Sequence, residues 1–252
     1  MTVTERGYHH RIEELVEVVL DETGHREWQT NRYTVLSPGM HFLENGEWQE
    51  SEVRFEALPG GGWAALRGSH QVVVSENLQV AGAIQVTSAE GVRWRSTPLQ
   101  LLLHDTRSGQ SAVLGELQAS FGEQVEANVI LFRNAFRWFS VDVRVVYRAD
   151  GVECDVILRA RLPRPEFLAL DPLFTDLLVQ TEVFDVQPTA LEAKERMVFR
   201  GDSLEVREDS QVEFGSLRLA EGSAFQFEDR PVDGRGQVPA FRASVRRSAS
   251  RR

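Results

Sequence analysis

The chain of 252 residues is 42% hydrophobic and 26% charged, the balance of an ordinary globular protein, with a formal net charge of −10. That charge argues against general affinity for nucleic acid or an anionic bilayer, and no apolar run approaches the ~18 residues of a membrane span. Cys154 is the one cysteine, which excludes an intrachain disulfide and a cysteine-based zinc site. A chain of this size buries roughly 70–75% of its unfolded surface, so a core needs neither staple nor metal.

The N-terminus, MTVTERGYHHR, has no apolar stretch followed by a small-residue cleavage site, so no secretory signal is read there. As written the chain is expected to be cytoplasmic, or extracellular or at the cell surface if it is a piece of a larger secreted protein. Ile12, Leu15, Val16, Val19 and Leu20 recur at helical spacing, with Glu13, Glu14, Glu17 and Asp21 on the opposite side. Val16, Val18 and Leu20 also alternate, as in a strand. Helix and strand both fit residues 1–27.

From Trp28 onward the hydrophobic period is two. A strand through Trp48, Val53, Phe55 and Ala57 ends at Pro59 and Gly60-Gly61-Gly62, a turn signal, and Trp63 to Arg67 starts the return. Further strands are expected at Val72–Val74, Val80–Val86, Leu99–Leu103, Ala112–Leu117 and Val125–Phe132. Val141, Val143 and Val145 then alternate with more polar neighbours, and Ala149-Asp150-Gly151 supplies the positive φ angles of a tight hairpin. The return strand runs from Val152 to Leu162. This hairpin is expected at the centre of the main sheet, with Val156 facing the core and Arg159 on the outer face, where substitution should be mild.

The apolar loop Arg164–Asp176, with Phe167, Leu168, Leu170, Leu173 and Phe174, is expected to pack over the end of the sheet. One helical turn fits Ala190–Glu195. Short strands complete the series to Phe227 at a spacing of about 8–12 residues, which suits a sandwich. Residues 239–252 hold five arginines from Arg242 onward and no acid; they are expected to be a disordered basic tail. The fold expected is therefore all-β: an antiparallel β-sandwich or supersandwich over residues 28–238, with at most a short N-terminal helix.

Scattered turn and core positions carry a resemblance. They are Gly46-Glu-Trp48-Gln-Glu-Ser51, Thr97-Pro98-Leu99, Asp105 with Ser108-Gly109, Tyr147 to Leu158 (YRADGVECDVIL), Thr181-Glu182-Val183-Phe184, and Phe214-Gly215 with Gly222-Ser-Ala224-Phe225. Over roughly residues 33–227 the chain resembles a β-rich domain found near the start of very large bacterial surface or secreted proteins, some carrying Rhs/YD-type repeats. The resemblance implies a structural or binding module whose partners are neighbouring domains or another protein. It brings no catalytic residue.

Side-chain chemistry offers few motifs. No His-x-x-x-His or Glu-x-x-His spacing occurs among His9, His10, His25, His41, His70 and His104, and adjacent His9 and His10 would point apart, so no metal is expected. Asp202, Glu205, Glu208 and Asp209 lack EF-hand spacing and read as surface turn acids. No Gly-x-Ser-x-Gly elbow or phosphate loop is present, and no cofactor is expected. Two features point to a ligand. His70 and His104 lie at strand edges, and Glu44, Glu47, Glu50 and Glu52 cluster near Trp48. Sugar-processing sandwiches similar to aldose mutarotases use histidines with a glutamate for proton transfer. Trp48, Trp94 and Trp138 could stack on the apolar face of a sugar. The expectation is a non-catalytic interaction module with Trp48, Trp94, Trp138, His70 and His104 as candidate binding residues; the alternative is a carbohydrate-active enzyme or glycan-binding domain of supersandwich fold.

Overall fold

The computed structural model describes residues 1–20, 22–184, 190–200, 203–226 and 241–246, part of them after residue 190 by backbone alone. The N-terminal ribbon comprises β1 (Thr2–Gly7), β2 (His10–Leu20) and β3 (Arg26–Leu36), followed by the hairpin β4 (His41–Glu44) and β5 (Glu47–Glu50). Next come β6 (Glu56–Ala57), β7 (Trp63–Ala65), β8 (His70–Val74), β9 (Ile84–Ser88), β10 (Arg93–Asp105) and β11 (Ser111–Leu117). Then follow β12 (Gly122–Glu126), β13 (Val129–Phe132), β14 (Phe136–Arg137), β15 (Val141–Arg148) and β16 (Gly151–Leu158). The chain closes with β17 (Thr175–Phe184), β18 (Ala190–Arg200), β19 (Ser203–Phe214), β20 (Leu217–Gln226) and β21 (Phe241–Arg246). The single helical element among the described residues is a 3₁₀ turn at Pro165–Leu168.

The fold is an antiparallel β-sandwich. A 12-stranded sheet runs β18-β19-β20-β21-β17-β10-β9-β8-β7-β6, with β11 and β14 branching from β10; a 4-stranded sheet runs β12-β13-β15-β16. The core lies between them. Val72, Val74, Ile84 and Leu101 of the large sheet meet Ile130, Phe132, Val141, Val143, Val145 and Tyr147 of the small one, all buried. A smaller cluster of Val183, Val212 and Phe214 sits beside it.

The open question at the N-terminus resolves to strand. β2 pairs along its whole length with β3 and through its first half with β1, so its backbone groups find partners on both sides. Ala190–Glu195 is likewise part of β18, not a helical turn. No helix among the described residues is long and apolar enough to cross a membrane.

The alternation of Val141, Val143 and Val145 does bury those valines, but the hairpin is not the centre of the main sheet. β15 and β16 belong to the small sheet, where β16 is the last strand in the order. The centre of the large sheet is β10, whose residues 93–96 pair with β9, 100–104 with β11 and 95–105 with β17. Nor is Arg159 a mere surface residue: its guanidinium lies 2.6 Å from the carboxylate of buried Asp142. The loop after β16 buries Leu170 and sets half-buried Phe174 under the Arg107 guanidinium, but leaves Phe167 and Leu173 in water.

The basic tail is corrected in part. Residues 241–246 form β21, hydrogen-bonded between β17 and β20; 239, 240 and 247–252 lie outside the described residues. Phe241, Ala243 and Val245 alternate with Arg242, Ser244 and Arg246, and β17 offers a strand edge whose backbone groups need partners.

Two details set up the site. Pro98 cannot donate to a ladder, and the β10–β17 register slips by one residue between Pro98 and Gln100. That bulge reverses side-chain parity, so Trp94, Ser96 and Pro98 face inward before it and Leu101 and Leu103 face inward after it. Gly62, at φ +81°, closes the turn between β6 and β7; an added Cβ would come 2.4 Å from the carbonyl oxygen of Val74.

Candidate functional site

A cavity of about 610 Å³ opens where the small sheet stops. Its floor is the inner face of three adjacent strands of the large sheet. Register places Val86 opposite Trp94, Ile84 opposite Ser96, Ser96 opposite Val183 and Pro98 opposite Thr181, all on that face. One wall is the segment Asp150–Cys154 at the start of β16; the other is the β19–β20 turn, with Leu217 and Leu219. Tyr8 and His9, between β1 and β2, close the top. Ile84, Val86, Ser96, Pro98 and Val183 of the floor are buried, and Trp94, Val179 and Thr181 are half-buried. The volume lies within the range of small-ligand sites, and the lining mixes an aliphatic floor with hydroxyls, two histidines and the charged residues Glu90, Asp150, Glu153 and Arg218.

His70 sits at the inner end of this wall, buried at the start of β8. Its ring lies 5.0 Å from that of Tyr147, whose hydroxyl donates to the His70 carbonyl at 3.1 Å. Gly68 makes room for that hydroxyl, since a Cβ there would fall 2.1 Å from it. Burial lowers the His70 pKa, outweighing the Gly151 main chain and the Asp150 carboxylate, which favour the charged form. The imidazole is therefore neutral at pH 7. Burial also pushes the Tyr147 phenol up to about 12, so it stays a donor.

Trp94 forms part of the floor, its ring edge-on to Phe214 at 5.7 Å. Its indole N–H is buried and meets no acceptor among the described residues. A buried donor left unmatched costs roughly 1–3 kcal/mol, so a ligand acceptor there would recover that loss.

Of the five candidate binding residues, the structure thus brings His70 and Trp94 to one cavity. Trp48 stands one layer out, edge-on to Tyr8 at 4.7 Å. His104 lies at the far end of β10, its Nδ1 2.8 Å from the Ser111 hydroxyl, away from the cavity. Trp138 is also remote, on the β14–β15 connection, with the Arg137 guanidinium 4.9 Å from its ring centre. Glu52 of the acidic cluster is held by Arg54 and Arg67, each at 2.7 Å, and Glu44, Glu47 and Glu50 are exposed; none lines the cavity. His9 and His10 engage different partners, His9 accepting from the Gly39 N–H and His10 lying 3.3 Å from Glu5.

Asp150, Ser96, Thr181 and Leu217 were not singled out in the sequence. Asp150 reads as a turn former, and the others share the alternation of any core strand. Pro98 reads as a break before a strand at Leu99, whereas β10 runs through it from Arg93 to Asp105. Among the described residues no group of three or more His, Cys, Asp or Glu is placed to hold a metal ion. Asp202 and the side chains of Glu205, Glu208 and Asp209 lie outside the described residues.

Compared with family models, curated proteins and solved structures, the chain matches none of them.

Proposed function

We propose that the chain is a non-catalytic binding module, and that the intersheet cavity receives an apolar group presented by a neighbouring domain or another protein. The observation that carries this reading is the apolar floor of β9, β10 and β17, where Ile84, Val86, Pro98, Val179 and Val183 line a cavity of about 610 Å³. Ser96, Thr181 and the Trp94 indole add hydrogen-bonding groups on that floor, and the charged lining residues Glu90, Asp150, Glu153 and Arg218 come from other segments. The neutral apolar dye N-phenyl-1-naphthylamine tests it. Saturable fluorescence enhancement at about one dye per chain is expected, and coupling a bulky maleimide to Cys154, on the cavity wall and the only thiol, should weaken it about tenfold. Absence of saturable binding would remove the reading.

One observation favours a second reading, a sugar-processing enzyme. A neutral buried imidazole, His70, shares the cavity with the Asp150 carboxylate, and the two sense each other electrostatically. Such a pair has the makings of proton transfer. Polarimetry of freshly dissolved glucose decides it: mutarotation no faster than in buffer, or equally fast with His70→Gln, eliminates this alternative.

A further inference from the structure

The outer face of the large sheet carries a second arrangement, independent of the cavity. Register sets Gln180 of β17 opposite Gln100 of β10, Gln100 opposite Glu116 of β11, and Glu116 opposite Arg137 of β14. Four polar side chains therefore stand in one transverse row across four adjacent strands, spanning about 14 Å at the usual strand spacing, with Arg137 exposed, Gln100 and Glu116 half-buried and Gln180 buried behind Gln100. The row is internally braced. Gln100 Nε2 donates to Gln180 Oε1 at 2.6 Å, and Arg137 donates to Glu116 at 2.6 Å. A shallow groove of about 340 Å³ runs along it, with Gln79 on its margin.

At the Arg137 end stands Trp138, which combines two unfavourable features. Its side chain is 71% exposed, and its backbone is at φ +72°, a conformation that bulky L-residues rarely adopt. The Arg137 guanidinium, itself held by Glu116, lies 4.9 Å from the indole centre and steadies the ring against rotation. Burial does not explain this conformation, because the ring is in water. A polar row on a sheet face is ordinarily just the solvated side of a sandwich. A strained, braced and exposed indole at the end of that row is what the ordinary account leaves over.

We infer that the row Gln180–Gln100–Glu116–Arg137, with Trp138 at its end, is a binding site for a neutral carbohydrate. A pyranose has an apolar face of C–H groups, which fits the exposed indole, and a rim of hydroxyls that both donate and accept. Amides and a carboxylate–guanidinium pair match that rim because each offers donors and acceptors a few ångströms apart. The row is long enough for a short linear oligosaccharide. An anionic ligand would meet Glu116, and a purely apolar one would leave four polar side chains desolvated.

The test uses calorimetric titration of the full chain with cellohexaose, xylohexaose, maltohexaose and chitohexaose, one at a time. At least one should bind in the range of about 10 µM to 1 mM. Trp138→Gly suits the positive φ better than tryptophan does, so its melting temperature should not fall, while affinity drops about tenfold or more. Gln100→Ala should weaken the same oligosaccharide, and maleimide on Cys154, on the opposite face, should leave it unchanged. Failure of all four oligosaccharides to bind would overturn the inference, as would unaltered affinity in a folded Trp138→Gly variant. Neither result would bear on the cavity, whose probe is a different molecule.

Discussion

Arg159 holds the buried carboxylate of Asp142 from the next strand over: its Nε donates at 2.7 Å and its Nη2 lies 2.6 Å from the same oxygen. The other carboxylate oxygen accepts the Asn134 N–H at 2.8 Å. Removing the guanidinium leaves a desolvated charge with one donor. Arg159→Ala should therefore cost about 1–3 kcal/mol in urea denaturation, reduced from the full value for a buried pair because Arg159 itself is half exposed. Arg159→Asp should cost more than the alanine change. A parent-like midpoint for both would show that Asp142 finds water instead.

Val143 and Val156 face each other across β15 and β16, but Val143 is fully buried while Val156, on the terminal strand, is half buried. An aspartate at 143 places a carboxylate among core aliphatics, a penalty comparable with a total stability of ~5–15 kcal/mol. Val143→Asp should abolish the cooperative melt followed by circular dichroism. Val156→Asp can turn its carboxylate toward the open side of β16, and its loss should be about 1–3 kcal/mol. Equal damage from the two would mean that β16 is covered.

Asp105 organises the turn after β10. Burial alone would raise its pKa, but the N–H groups of Ser108, Arg107 and Asp171 and the Ser108 hydroxyl outweigh it and pull the carboxyl down to about 2. A depressed carboxyl pKa means that the unfolded chain takes up its proton first on acidification. The Asp105 contribution is therefore complete above about pH 4 and lost between about pH 4 and pH 2. Asp105→Asn should lower the melting temperature at pH 7 and flatten its fall across that acid window. A parallel pH dependence for variant and parent would count against this role.

His70 acts in the opposite range. Its folded pKa is lowered chiefly by burial, so the unfolded state protonates first as pH falls through about 6.5. Stability should be greatest above that value and decline below it, until the folded pKa is passed. His70→Gln, which keeps a neutral polar side chain, should show a shallower decline between pH 7 and pH 5 in thermal melts. If the slope is unchanged, another group is responsible.

Much of the architecture was legible in local pattern. Val141, Val143 and Val145 alternate because one side of β15 is buried, and that period of two survives whatever the strand pairs with. Asp150-Gly151 marked its hairpin because few residues accept the required backbone angles. The all-β class followed from such signals repeated along the chain. The N-terminal segment stayed open because Ile12 to Leu20 satisfies both periods, and only pairing with β3 decided it.

What the sequence could not determine is where each sheet ends and what lies across from what. Backbone hydrogen bonds join strands without regard to side-chain identity, so an alternating strand looks the same at an edge as at a centre. β16 proved to be an edge, and its first residues, Gly151 to Cys154, wall the cavity. His70 and Trp94 meet there although 24 positions separate them in sequence. Gln180, Gln100, Glu116 and Arg137 form a row only because three registers coincide. Sequence alone determined the composition and alternation of the strands; tertiary pairing decided which of their faces close into the core and which line the cavity.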